Sequence, residues 1–111
     1  MDRSEFTVFK RKIDELVGKN KYSEAITLLE RIVADDPDNV MIYSMLGDIS
    51  QHVDRKDAIV YYRRGLEREP KNPYFNTALG FLYFNLNRFV DLLHILQNMV
   101  VINAQKFSNH F

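Results

Sequence analysis

Three histidines, His52, His94 and His110, are the only imidazoles in this chain of 111 residues. One of them, His52, stands four residues after a carboxylate, Asp48. On a helix that spacing puts both groups on one face, where they could share a proton or ligate a metal ion. The commoner reading of such a pair is a solvated ion pair. His94 lies in an apolar run and reads as a packed histidine holding one hydrogen bond. No cysteine is present, which removes disulfide frameworks, thiolate zinc sites and cysteine nucleophiles together. Gly18-Lys19 lacks the rest of a phosphate-binding loop, and no serine stands in a nucleophile motif. The expectation is a non-enzymatic protein with no metal, no cofactor and no small-molecule substrate.

Charge points the same way. The fifteen basic and fifteen acidic residues cancel, whereas phosphate contacts dominate nucleic-acid affinity and demand a basic surplus. The Arg55-Lys56 and Arg63-Arg64 pairs alternate with acids and read as a solvated helix face, so no nucleic-acid partner is expected. No apolar run approaches the ~20 residues that span a bilayer, and no signal peptide is visible. A reducing cytoplasm is the default compartment. The charges are also uneven: residues 73–111 carry only Arg88, Asp91 and Lys106, in a stretch rich in Phe, Leu, Ile and Val.

The elements that position these residues repeat. Ala25-Ile26 returns as Ala58-Ile59, Pro37 as Pro70, Asn39 as Asn72 and Leu46-Gly47 as Leu79-Gly80, each 33 residues later. Within each unit the apolar spacing is helical, and no stretch alternates with period two. The first unit predicts helices over about 4–17 and 23–34, the first stopped by Gly18. The second predicts helices over about 40–52 and 55–69. Asp38 or Asn39 would cap the former and Asp54 the latter, with Pro70 ending the unit. The third predicts helices over about 73–86 and 88–102, opened by the cap-and-proline pair Asn72-Pro73. Gly47 and Gly80, with Ala25 and Ala58, are small enough to let paired helices approach closely.

The second unit, Tyr43-x-x-Leu46-Gly47 followed by Ala58, Tyr62, Gly65 and Pro70, resembles the tetratricopeptide (TPR) pattern. The third matches it with Leu79-Gly80-x-x-Tyr83 and then Phe89. Several positions depart from the pattern. The second unit is one residue short near Val53-Asp54, and Ser50 replaces an aromatic. Lys12-Ile13 replace Leu-Gly in the first unit, and Leu92 and Ala104 replace alanine and proline in the third. The resemblance implies an all-α fold: a right-handed superhelix of three antiparallel helix pairs in one domain, with repeats at about 4–38, 39–72 and 73–106.

It further implies a concave surface lined by the first helix of each repeat. Carried over by register, the lining is Lys10, Asp14 and Val17, then Met41, Ser44, Asp48, Gln51 and His52, then Tyr74, Thr77, Phe81, Phe84 and Asn85. Phe81, Phe84 and Tyr74 either pack in the core or line the groove as anchors for an apolar partner. Tyr74 and Ala78 stand where the family's two-carboxylate clamp has Lys and Arg, which argues against acidic C-terminal tails as ligands. The expected function is an adaptor or scaffold that binds another protein or peptide. The alternatives are assembly with itself through the apolar third repeat, or membership of a longer scaffold. Leu93, Leu96, Val100, Val101 and Phe107 are the candidate interface there. Residues 103–111 are too short and too apolar, with Phe107 and Phe111, to cover that surface.

Overall fold

A computed structural model describes residues 1–108; His110 and Phe111 lie outside the described residues. Six α-helices follow one another: α1 (Arg3–Gly18), α2 (Tyr22–Asp35), α3 (Val40–Ser50), α4 (Arg55–Arg68), α5 (Pro73–Asn85) and α6 (Phe89–Ser108). Each packs chiefly on its neighbours in sequence, so the core runs as one seam along the stack. This is an all-α, TPR-like solenoid.

Local chemistry explains the ends of the helices. Asp54 Oδ1 accepts from the Lys56 amide at 2.8 Å, and Asn72 Oδ1 accepts from the Tyr74 and Phe75 amides at 2.8 and 3.4 Å. Asn39 occupies the cap position of α3 without capping it; its side-chain amide instead donates to Asp36 Oδ2 at 3.3 Å. Gly18 ends α1, but the left-handed residue that turns the chain is Asn20, at φ 59°. Its counterpart after α5 is Asn87, at φ 58°. In both turns the following amide reaches back: Lys21 N–H to the Leu16 carbonyl at 2.9 Å, and Arg88 N–H to Tyr83 at 2.8 Å. Together with the asparagines' own backbone bonds to Val17 and Phe84, these are Schellman caps. The shorter turn after α3 has no left-handed residue. There the chain tightens, with the Val53 and Asp54 amides both on the Ser50 carbonyl, and α3 stops at Ser50 rather than near His52.

Small residues fit the helices together at two places. A Cβ on Gly47 would fall within the space of the Tyr62 ring, so α3 and α4 meet glycine against aromatic. A Cβ on Gly65 would fall on the Phe75 ring in the same way, which repeats the arrangement between α4 and α5. Gly80 does not share this role. Its added Cβ would meet Ile95 at 3.8 Å, ordinary van der Waals distance, because α6 presents branched aliphatic tips there instead of a flat ring.

Buried polar groups tie the loops to the seam. Tyr43 donates its hydroxyl to the Pro37 carbonyl at 2.8 Å. The matching position in α5 is Asn76, wholly buried, which donates to the Pro70 carbonyl at 3.3 Å and accepts from Asn98 Nδ2 at 2.9 Å. Ser50 takes the place of an aromatic, and its buried hydroxyl has no partner among the described residues. The last helix runs on through Ser108, well beyond the expected end near Ile102, because residues 103–108 include no helix breaker. His94 is exposed rather than packed: on α6 it lies away from Ile95, which takes the buried position beside it.

Candidate functional site

Between α3 and α5 the solenoid encloses an open cavity of about 360 Å³, lined by Asp48, Gln51, Tyr62, Tyr74, Thr77, Ala78, Phe81, Leu82 and Asn85. Helical spacing brings the side chains here. Asp48 and Gln51 are three apart at the end of α3; Tyr74, Thr77, Phe81 and Asn85 follow i, i+3, i+7, i+11 on α5. At its centre one carboxylate holds two phenols. Tyr62 donates to Asp48 Oδ1 at 2.5 Å, and Tyr74 donates to both carboxylate oxygens at 2.5 and 2.6 Å. Gln51 Nε2 donates in turn to the Tyr62 hydroxyl at 2.8 Å. The Tyr62 and Tyr74 rings meet edge to face at 6.3 Å. α3, α4 and α5 are therefore joined through one polar knot.

The knot shifts the phenols. Burial, reinforced by the bond to Asp48, pushes the Tyr74 hydroxyl up to about 12 and the Tyr62 hydroxyl further above the ordinary range. Both stay protonated as donors at neutral pH, so the charge of the site is the Asp48 carboxylate. No described ion pair uses Asp48. The wall above it is aromatic: Phe81 is 67% exposed and Tyr74 49%. Phe84 is 60% exposed, on the same helix just outside the cavity lining. None of the three is a core residue.

Six of the residues expected in the groove thus meet: Asp48, Gln51, Tyr74, Thr77, Phe81 and Asn85. The others do not join them. Lys10 and Asp14 pair with each other at 3.1 Å on the exposed side of α1, and Val17 packs against the core. Met41 is exposed two turns before Asp48, and Ser44 returns its hydroxyl to the Met41 carbonyl at 2.6 Å. His52 leaves Asp48 altogether and stacks on Tyr22 of α2, ring centroids 4.5 Å apart. Because α3 ends at Ser50, His52 sits in the turn rather than on the helix face that the four-residue spacing predicts. Helical periodicity marks Tyr62 only as a core residue of α4. Its hydroxyl reaches the cavity because Gly47 leaves room for the ring to pass across α3. That glycine-opposite-tyrosine match is the signal available in the sequence. Among the described residues, no cluster of three or more metal-ligating side chains forms.

At the far end, α6 turns Leu92, Ile95, Met99 and Ile102 toward the core and leaves Leu93, Leu96, Val100, Val101 and Phe107 exposed. No helix of the described residues is long and apolar enough to cross a membrane.

No protein-family model matches the chain, and no curated protein matches it. Solved structures do. It superposes on the structure described as "MamA RS-1 ArsTM double mutant" with TM-score 0.75 and 19% identity, over 91% of this chain and 57% of that one. "Crystal structure of MamA protein" gives 0.74 and 20%, over 88% and 54%. "MamA MSR-1 C2" gives 0.72 and 19%, over 90% and 58%. The chain therefore spans a little over half the length of these MamA structures. At such identity the likeness is one of fold.

Proposed function

We propose that the chain is a protein-interaction module, an adaptor or scaffold unit built from three TPR-like repeats. Its cavity between α3 and α5 receives a peptide or helix bearing a cationic side chain among apolar ones. The observation that carries this reading is the Asp48 carboxylate, presented between phenol donors beneath the exposed ring of Phe81. A carboxylate can accept about four hydrogen bonds, and the two tyrosines leave room for a further donor. A guanidinium or ammonium there gains a charge-assisted bond to Asp48 and lies beside aromatic faces that attract cations. Apolar neighbours in the ligand then cover Phe81 and Phe84, the kind of anchor that carries interface energy. An acidic ligand would meet the Asp48 charge with nothing to offset it.

The test uses three fluorescent amphipathic peptides of equal length, identical but for a central Arg, Ala or Glu among leucines, titrated by anisotropy. The arginine peptide should bind at least about tenfold tighter than the glutamate peptide, a difference of about 1.4 kcal/mol. Asp48→Asn should erase that preference. Phe81→Ala with Phe84→Ala should lose binding of all three while keeping the helical circular dichroism. Binding unaffected by the double substitution would overturn the groove reading.

A further inference from the structure

Resting on the proposal that the groove receives a cationic side chain, we infer that this side chain is a guanidinium, and that Gln51, turned by Tyr62, makes the groove prefer arginine to lysine. Tyr62 has a single hydroxyl proton, and it is donated to Asp48 Oδ1. Toward Gln51 the same oxygen can only accept. Gln51 must therefore face it with the amide nitrogen, Nε2, at 2.8 Å. The other end of that amide, Oε1, is left to the cavity that Gln51 lines, and no donor reaches it among the described residues. Without Asp48 to take the Tyr62 proton, the amide could turn over and offer N–H groups to a ligand instead.

The Asp48 carboxylate and the Gln51 carbonyl are thus both presented as acceptors, one on either side of the Tyr62 hydroxyl. A guanidinium is a flat fork of N–H donors, able to give one arm to the carboxylate and another to the carbonyl. An ammonium carries all its donors on one nitrogen and is more strongly hydrated, so it gains less from a second acceptor set apart from the first. The aromatic wall widens the difference. Phe81 and Tyr74 are both exposed there, and a planar guanidinium stacks on such rings. Asp48 attracts either cation; Gln51 and the rings decide between them. Tyr62 is a positioning residue in this choice, because it acts through the amide it orients.

Anisotropy titrations of the amphipathic leucine peptide with a central Arg or a central Lys test this. The full chain should bind the arginine peptide about fivefold tighter or more, the worth of one further hydrogen bond. Gln51→Ala, at an exposed position on the helix end, should bring the arginine peptide down to the level of the lysine one. Tyr62→Phe should also equalise the two peptides, since it frees the amide to turn. Circular dichroism checks that each variant folds; if Tyr62→Phe does not, Gln51→Ala carries the test. The ratio of the two affinities is the readout, because mere damage to the groove would weaken both peptides alike and leave the ratio as it was. Equal binding of both peptides by the unaltered chain would overturn this inference and leave the groove reading standing, as would an arginine preference that survives Gln51→Ala. Binding of neither peptide would overturn both.

Discussion

Two glycines that look equivalent in the sequence, Gly47 and Gly80, do different things. Both follow a leucine at the same place in their units, and both read as points of close approach. At Gly47 the Tyr62 ring occupies the volume a Cβ would need, and Tyr62 is itself wholly buried and tied to Asp48 and Gln51. Nothing there can move without breaking the knot. Gly47→Ala should therefore destabilise the fold by about 1–3 kcal/mol, the usual cost of overpacking. Gly80 sits in an open helix surface by comparison, where an alanine methyl touches Ile95 at contact distance. There the higher helix propensity of alanine decides the sign, and Gly80→Ala should be neutral to stabilising by about 0.5–1 kcal/mol. Thermal melts of the two variants, followed by circular dichroism, check this. Equal losses would mean that α5 and α6 pack as tightly as α3 and α4.

Helix ends are the least legible elements, and their misreadings share one cause. Glycine is the expected left-handed residue after α1, yet asparagine supplies it after both α1 and α5. Sequence marks a candidate terminator, but only the hydrogen bonds of the turn decide which residue takes positive φ. The same holds at Asn39, whose side chain bonds back to Asp36 instead of forward into α3. At Asp54 and Asn72 the expected caps form, even though the Asn72 side-chain amide also donates back, to Glu69 Oε2 at 2.7 Å. Asn87 tests this directly, because its left-handed φ is the feature that closes the turn onto Tyr83 and Phe84. Asn87→Gly should match or slightly exceed the wild type, since glycine adopts left-handed φ without a Cβ penalty. Asn87→Ala should lose about 1–2 kcal/mol, the cost of a left-handed alanine. Chemical denaturation of the three proteins would show it; an alanine variant as stable as the glycine one would remove the Schellman cap from the account of this turn.

For the whole molecule, the repeating landmarks are enough to predict six helices and their order, because each pair buries a face that the 3.6-residue period already displays. About half of the groove is legible for the same reason. Asp48, Gln51 and the α5 stripe keep helical register, whereas His52 falls past a helix end and Tyr62 arrives from the opposite helix. What periodicity does not encode is how firmly each part is held. In a stack where packing runs chiefly between successive helices, stability is a sum of local and neighbour terms, and the ends open first. α3 is packed on both sides and buries Ile42, Tyr43, Leu46, Gly47, Ile49 and Ser50. α1 is packed on one side and buries only Ile13 and Leu16. Amide hydrogen exchange should accordingly find α1 at least about tenfold less protected than α3 and α4, by opening free energies that differ by more than about 1.4 kcal/mol. α6 buries few residues of its own and should exchange like α1 in dilute protein. Uniform protection along the chain would instead mean that the six helices open as one unit, and the linear account of this fold would fail.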